Sequence, residues 1–291
     1  MPFAAKGRQI HRTGTNAKKG VVNNMNTKAL KWINTVALAV TLAANALANL
    51  IPLGIGTTGA VSEKYENLFT PAPYTFGVWG VIYVFMVLYV LYGWGVFDNG
   101  RRSAEVLHRI GLWFALTCVF NTAWVFAWHY DVIGLSVILI AALLVTLIII
   151  TRLTLNDGAE GIEKFSVNYG FSIYYGWIVA ALISNISVYL VKLGWNGFGL
   201  SEQFWMCVVL AVGAVIGTLI ALSDGTYLPT LTVIWAYIGI IVKHAGEKGY
   251  GGQYLAVIIT AVFSIAVMSI GLFAAFMTNR EEKEARLSPA E

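Results

Sequence analysis

Charge is scarce in this chain. Only 12% of its 291 residues are Asp, Glu, Lys or Arg, against 58% apolar residues, and the mean hydropathy is +0.70. A soluble domain needs more charged surface, so the composition describes an integral membrane protein. Asp, Glu, Lys and Arg are missing from the middle of the apolar stretches. That excludes the carboxylate relay of a proton-coupled pump and the buried lysine on which a retinal Schiff base forms. Neither a His-Glu-x-x-His zinc pair nor a Gly-x-Ser-x-Gly elbow occurs, so no enzyme is expected. Cysteine is reduced to Cys118 and Cys207. Both fall inside apolar stretches without metal-ligand spacing, and neither a disulfide framework nor a metal site is expected. No basic run is interleaved with aromatics, which argues against a nucleic-acid partner.

What the chain has instead is eight apolar stretches of about the 20 residues that a helix needs to cross the hydrocarbon core. They lie near 30–51, 74–97, 110–128, 132–153, 167–191, 203–222, 227–243 and 253–278. The expected fold is therefore all-α, a polytopic membrane helix bundle. With the N-terminus inside, Lys64, Lys192, Lys243 and Lys248 are the 4 of 19 basic residues that fall outside. The positive-inside rule then predicts both termini in the cytoplasm, and a bacterial plasma membrane is the expected location. Residues 1–28 carry six basic and no acidic side chains and read as a disordered tail, with Met25 as a second plausible start and no contribution to folding expected. Residues 280–291 read as a cytoplasmic tail.

Three apolar segments carry aromatic and amide residues every three or four positions. They are Phe76, Trp79, Tyr83 and Met86; Trp113, Thr117, Asn121, Trp124 and Trp128; and Tyr174, Trp177, Ala181 and Asn185. That spacing gathers each set on one helix face, and an amide has no hydrogen-bond partner in lipid. The three faces are expected to look at one another. At about 1.5 Å per residue, Asn45, Asn121 and Asn185 each lie roughly 9–11 Å below the outer interface, and Trp79 falls at a similar level. Two uses of this layer follow. The amides bond one another and lock the helices, or they anchor a ligand in a cavity walled by indoles. Trp32, Trp94, Trp128, Trp195 and Trp205 sit at span ends and read as interface residues, whereas Trp79, Trp124, Trp177 and Trp235 lie deeper. Among the histidines, His129 stands beside Trp128 at the cavity mouth, where it could serve a haem iron or, as is commoner, a solvated hydrogen bond. The longest loop, Pro52 to Pro73, contains Gly54, Gly56 and Gly59 and is either a lid or a plain connector.

On these residues the chain resembles the tryptophan-rich sensory protein or translocator protein family (TspO/MBR-related). Pro73-Tyr74-Thr75-Phe76-Gly77-Val78-Trp79, with Tyr83 and Met86 after it, looks like that family's second helix. Asn121 and Trp124 match its third, and Tyr174, Trp177, Ala181 and Asn185 its fifth. The resemblance covers 29–195 as a five-helix core and leaves 196–279 as a three-helix extension, as in a longer branch of the family. It implies a tetrapyrrole or sterol-like hydrophobic ligand under the first loop, with Asn45, Trp79, Tyr83, Asn121, Trp124, Trp177 and Asn185 as its contacts. Porphyrin or haem would then be a ligand and not a resident cofactor. Membrane lipid and a second copy of the chain are the other partners expected. Two functions stand side by side: a binding or translocation protein for such a ligand, carrier or sensor, and an uncoupled transporter of a small solute along a path lined by the asparagines.

Overall fold

The computed structural model describes residues 26–51, 54–97, 101–155, 158–224 and 226–287, excepting the side chains of Arg101, Asp224 and 282–287. The basic tail up to Met25, the alternative start included, lies outside the described residues. So do Pro52 and the last four residues. Helix α1 spans Thr27–Leu50, and its N-cap Asn26 accepts a hydrogen bond from the Lys28 amide at 2.9 Å, satisfying one of the free donors of the first turn. A short α2, Thr58–Lys64, lies inside the long loop. A 3-10 turn at Pro73–Gly77 leads into α3, Val78–Gly93. The proline sits at the first position of that turn, where its missing N–H is not needed.

Helix α4, Arg101–Ile110, and α5, Trp113–His129, meet at 54°. Gly111 makes the corner with φ +58°, a conformation that glycine adopts at little cost. Helix α6 is Ile133–Thr154. A turn at Gly161–Glu163 (α7) and a π-turn at Lys164–Tyr169 precede α8, Gly170–Lys192. Then come α9, Glu202–Asp224, α10, Leu228–Ala245, and α11, Leu255–Leu287. Among the described residues there is no strand. Each of the eight expected spans finds its helix, the third as the bent α4–α5 pair. Helix α11 continues into the tail read from sequence, as far as Leu287.

Helix α8 is the hub. It packs against α3, α6, α9 and α10, and Tyr174, Tyr175, Gly176, Trp177 and Ile178 form a continuous buried stretch within it. That explains why the segment combines aromatics with small residues: without a hydrophobic drive in lipid, membrane helices associate through close packing. At Gly176 any side chain would overlap the Pro229 backbone of α10. The same α10 is tied to the loop before α3, where the Ala72 amide donates to the Gly239 carbonyl at 3.0 Å and Trp235 Nε1 to the Thr75 carbonyl at 3.1 Å. The C-terminal helices therefore reach into the first half of the chain. Helices α9 and α11 pair with each other at its flank.

Candidate functional site

The loop before α3 lies across the ends of α3, α5 and α8 and is fastened at both of its own ends. At its start the Ile55 amide donates to the His129 carbonyl at 3.0 Å, and Trp128 Nε1 donates to the Thr58 carbonyl at 3.2 Å. His129 Nδ1 lies 2.7 Å from the Gly56 carbonyl, and its Nε2 lies 3.0 Å from Thr58 Oγ1. A carbonyl only accepts, so Nδ1 carries the proton and Nε2 is left to accept from the threonine. His129 is fully buried. The expectation of a solvated interfacial histidine or a haem ligand is thereby corrected: both ring nitrogens are engaged in holding the loop.

In the middle of the loop, Asp131 of the α5–α6 turn collects Lys64 at 2.8 Å and Lys192 at 2.9 Å, with the Tyr65 hydroxyl donating to it at 2.8 Å, and the far end is held by the Ala72 amide on the Gly239 carbonyl. Desolvation pushes the Asp131 carboxyl up. The hydrogen bonds from Lys64, Lys192 and Tyr65 outweigh it and hold the group down at about 2. The Asp131 carboxylate is 26% exposed and the Lys64 ammonium 44%, so this clasp sits in solvent.

Beneath the loop the three sequence stripes meet. Tyr83 Oη donates to Asn45 Oδ1 at 2.6 Å, Asn45 Nδ2 to Asn121 Oδ1 at 2.8 Å, and Asn121 Nδ2 to Tyr174 Oη at 2.9 Å. One chain of polar groups thus crosses α3, α1, α5 and α8. The second Asn45 amide hydrogen goes to the Thr41 carbonyl at 2.9 Å. Asn185 stands apart from this chain and accepts from Ser136 Oγ on α6 at 2.7 Å. Above the network, Tyr83, Trp79, Trp124 and Trp128 form a column of near-parallel rings with successive centroids 5.7, 5.9 and 5.9 Å apart. Trp177 closes on Trp79 edge to face at 6.1 Å.

Two cavities border this column. The larger, of about 310 Å³, is lined by Asn45, Asn49 and Tyr83 below and by Thr58, Ser62 and Pro71 of the loop above, with Glu63 and Lys243 bringing charge to it. The smaller, of about 50 Å³, reaches Trp128, Trp177, Ala181 and Asn185. Phe76, Trp79 and Trp124 line both. Of the seven residues named from sequence, six border one cavity or the other. Asn121, with no exposed surface, borders neither and acts by holding Asn45 and Tyr174. The indole nitrogens of Trp124 and Trp177 are buried without a hydrogen-bond partner, on side chains only 6% and 3% exposed. A buried N–H without an acceptor costs about 1–3 kcal/mol. Both residues line the smaller cavity, which is large enough for a water or one polar substituent.

Several assignments change with the structure. Trp128 is not an interface residue but a buried member of the ring column, and Trp235, though within its span, is not packed in the core but 38% exposed at the bundle surface. Trp113, counted in the α5 stripe, faces outward. Sequence reasoning missed Ala236, Ile240 and Lys243 of α10, which border the cavities. Their spacing of four and three marks one helix face, the only signal that could have found them. Among the described residues no three His, Cys, Asp or Glu side chains converge to hold a metal.

The sequence model of one family, described as TSPO-like protein, matches residues 31–274. That span takes in the helices beyond Trp195 as well as the segment whose motifs carry the resemblance. Comparison with curated proteins and with solved structures finds no match.

Proposed function

The chain belongs to the TSPO-like family, and from that premise we propose that it is a membrane-embedded binding and translocation protein for a flat hydrophobic ligand such as a tetrapyrrole or sterol-like molecule, working as carrier or sensor without catalysis. The observation that supports this most is the pair of adjoining cavities under a clasped loop, walled by the Trp79–Trp124 stack. Apolar walls with few polar anchors are what small-molecule sites are made of. The larger cavity is at the lower end of the roughly 300–1,000 Å³ that such sites span, so a tetrapyrrole enters only when the loop lifts. The bonded amides position the walls, while the free indole N–H groups of Trp124 and Trp177 are the donors left for a ligand acceptor.

The alternative, a solute path lined by asparagines, has less support. Asn45, Asn121 and Asn185 already direct their side chains to protein partners. Titration of the detergent-solubilised protein with protoporphyrin, haem and a sterol, read by tryptophan fluorescence, tests the proposal. Saturable quenching by a tetrapyrrole, or displacement of it by the sterol, is expected. No response at tens of micromolar, an affinity no better than roughly −6 kcal/mol, would leave the solute path as the better reading.

A further inference from the structure

A third cavity, of about 420 Å³, lies between the ends of α8 and α9 and residues 67–69 of the loop. It shares Phe69 with the smaller lid cavity and none of the seven candidate residues borders it. Leu190 and Val191 of α8 and Met206 and Val209 of α9 form an apolar body. Trp195 and Trp205 wall it at the α8–α9 turn, their rings 5.0 Å apart and inclined at 57°. Trp205 Nε1 donates to the Gly197 carbonyl at 2.8 Å, so its one polar atom is engaged, and its ring also neighbours Phe198 and Phe204 while bordering the cavity.

The turn that holds these indoles is strained. Gly197, Phe198 and Gly199 have φ of +62°, +54° and +79°, a region that a bulky side chain such as phenylalanine rarely adopts. Of the cavity's polar side chains, Asn196 accepts from the Phe198 amide at 3.1 Å. Asn67 is used within the lid, its amide donating to the Tyr65 carbonyl and accepting from the Phe69 amide, both at 3.0 Å. Ser187 donates to the Ile183 carbonyl at 3.0 Å. Glu202, in the first turn of α9, borders the cavity with no ion pair or hydrogen bond to another described residue, and no Lys, Arg or His lines the space.

Two indole rings, one exposed carboxylate and an apolar body complement an ammonium group: aromatic rings attract a cation through their quadrupole, and the carboxylate adds a charge-assisted contact. We propose that this cavity binds an amphipathic molecule carrying an ammonium group on an apolar chain, with Trp195, Trp205 and Glu202 around the charge and Val191, Met206 and Val209 around the chain. A choline or ethanolamine lipid headgroup and a free amphiphilic amine share that chemistry.

Calorimetric titration of the full chain in a maltoside detergent with decyltrimethylammonium, and with decyl sulfate as the opposite charge, tests it. Saturable binding of the ammonium and none of the sulfate is expected, weakened at least fivefold by Glu202→Gln, whose exposed side chain leaves thermal stability unchanged. Val209→Phe, which fills the chain subsite, is expected to weaken it similarly while the protein still melts cooperatively. Equal binding of both amphiphiles, or an unchanged affinity in Glu202→Gln, would overturn the proposal as unspecific partition. Repeating the titration in nanodiscs separates the sources. Weaker probe binding in phosphatidylcholine than in neutral digalactosyl lipid identifies the headgroup as occupant by competition, and equal binding in the two identifies a free amine.

Discussion

The two ends of the bundle are both closed by a carboxylate, and the closures differ in kind. At the lid end Asp131 holds Lys64, Lys192 and Tyr65 in partial solvent. At the other end Glu163 is 8% exposed and receives Arg102 Nε and Nη2, each at 2.9 Å, together with the Tyr92 hydroxyl at 2.9 Å. Exposed ion pairs contribute little because water screens them and long side chains lose freedom in making them. A buried bidentate pair is costly to break, because the partner left behind stays desolvated. The contrast separates two kinds of closure: the Asp131 clasp exchanges easily with water and only supplements the buried contacts of His129 and Trp128 with the loop, while Glu163 of α7 ties α3 to α4.

The largest expected effect comes from removing Arg102. Arg102→Met leaves the buried Glu163 carboxylate without its guanidinium, and thermal unfolding in detergent should show a loss of about 2 kcal/mol, below the range for fully buried pairs because the Arg102 side chain is 37% exposed. A change near zero would mean that water reaches Glu163 and that the two ends are alike. Next is Asn121→Leu, which removes two bonds of the chain that joins α1, α5 and α8. Bonds of this kind average about 0.6 kcal/mol each, so a loss of about 1–2 kcal/mol is expected in the same measurement. Ligand affinity should also fall, because Asn45 and Tyr83 lose their fixed positions in the cavity wall.

The smallest effect on stability belongs to Asp131→Asn. The melting temperature should stay where it is, while hydrogen exchange across the 54–64 segment should quicken. The clasp has a pH sign as well. The Asp131 carboxyl is depressed from 3.8 to about 2, so its contribution is complete above about pH 4 and disappears as the pH falls through 2. Protection of the loop in wild type, once corrected for the intrinsic pH dependence of exchange, should therefore be constant above about pH 4, and slow exchange that persists in Asp131→Asn would show that the contacts of His129 and Trp128 hold the loop without the clasp.

The comparison also marks how far the sequence could be read. Eight spans were legible because charged residues interrupt apolar stretches of membrane length, and the meeting of Trp79, Trp124, Trp177 and Asn121 was legible because helical periodicity fixes which residues share a face. The membrane-spanning role of α5 was legible, but its 54° corner with α4 was not, since it depends on a single backbone angle at Gly111. Trp128 was misread because proximity to a span end says nothing of what covers it, and here Thr58 and the lid do. Periodicity likewise gives a face but not its partner. Lys243 and Ile240 could be placed on one side of α10 from spacing, whereas their approach to the cavities depends on the contact of Gly176 with Pro229.

The central claim is that the cavities under the exposed clasp take a flat ligand whose acceptor meets the free indole donors. The most direct measurement is the dissociation constant of protoporphyrin, by fluorescence quenching, in wild type, Trp124→Phe and the control Trp205→Phe. Trp124→Phe keeps an aromatic ring in the column but removes the N–H, a hydrogen bond worth about 0.5–1.5 kcal/mol, so its dissociation constant should rise roughly three- to tenfold while stability holds. Trp205→Phe, bordering only the α8–α9 cavity, should match wild type. The same dissociation constant in all three proteins would contradict the account, placing the porphyrin in the detergent or on the surface and not between Trp79, Trp124 and Trp177.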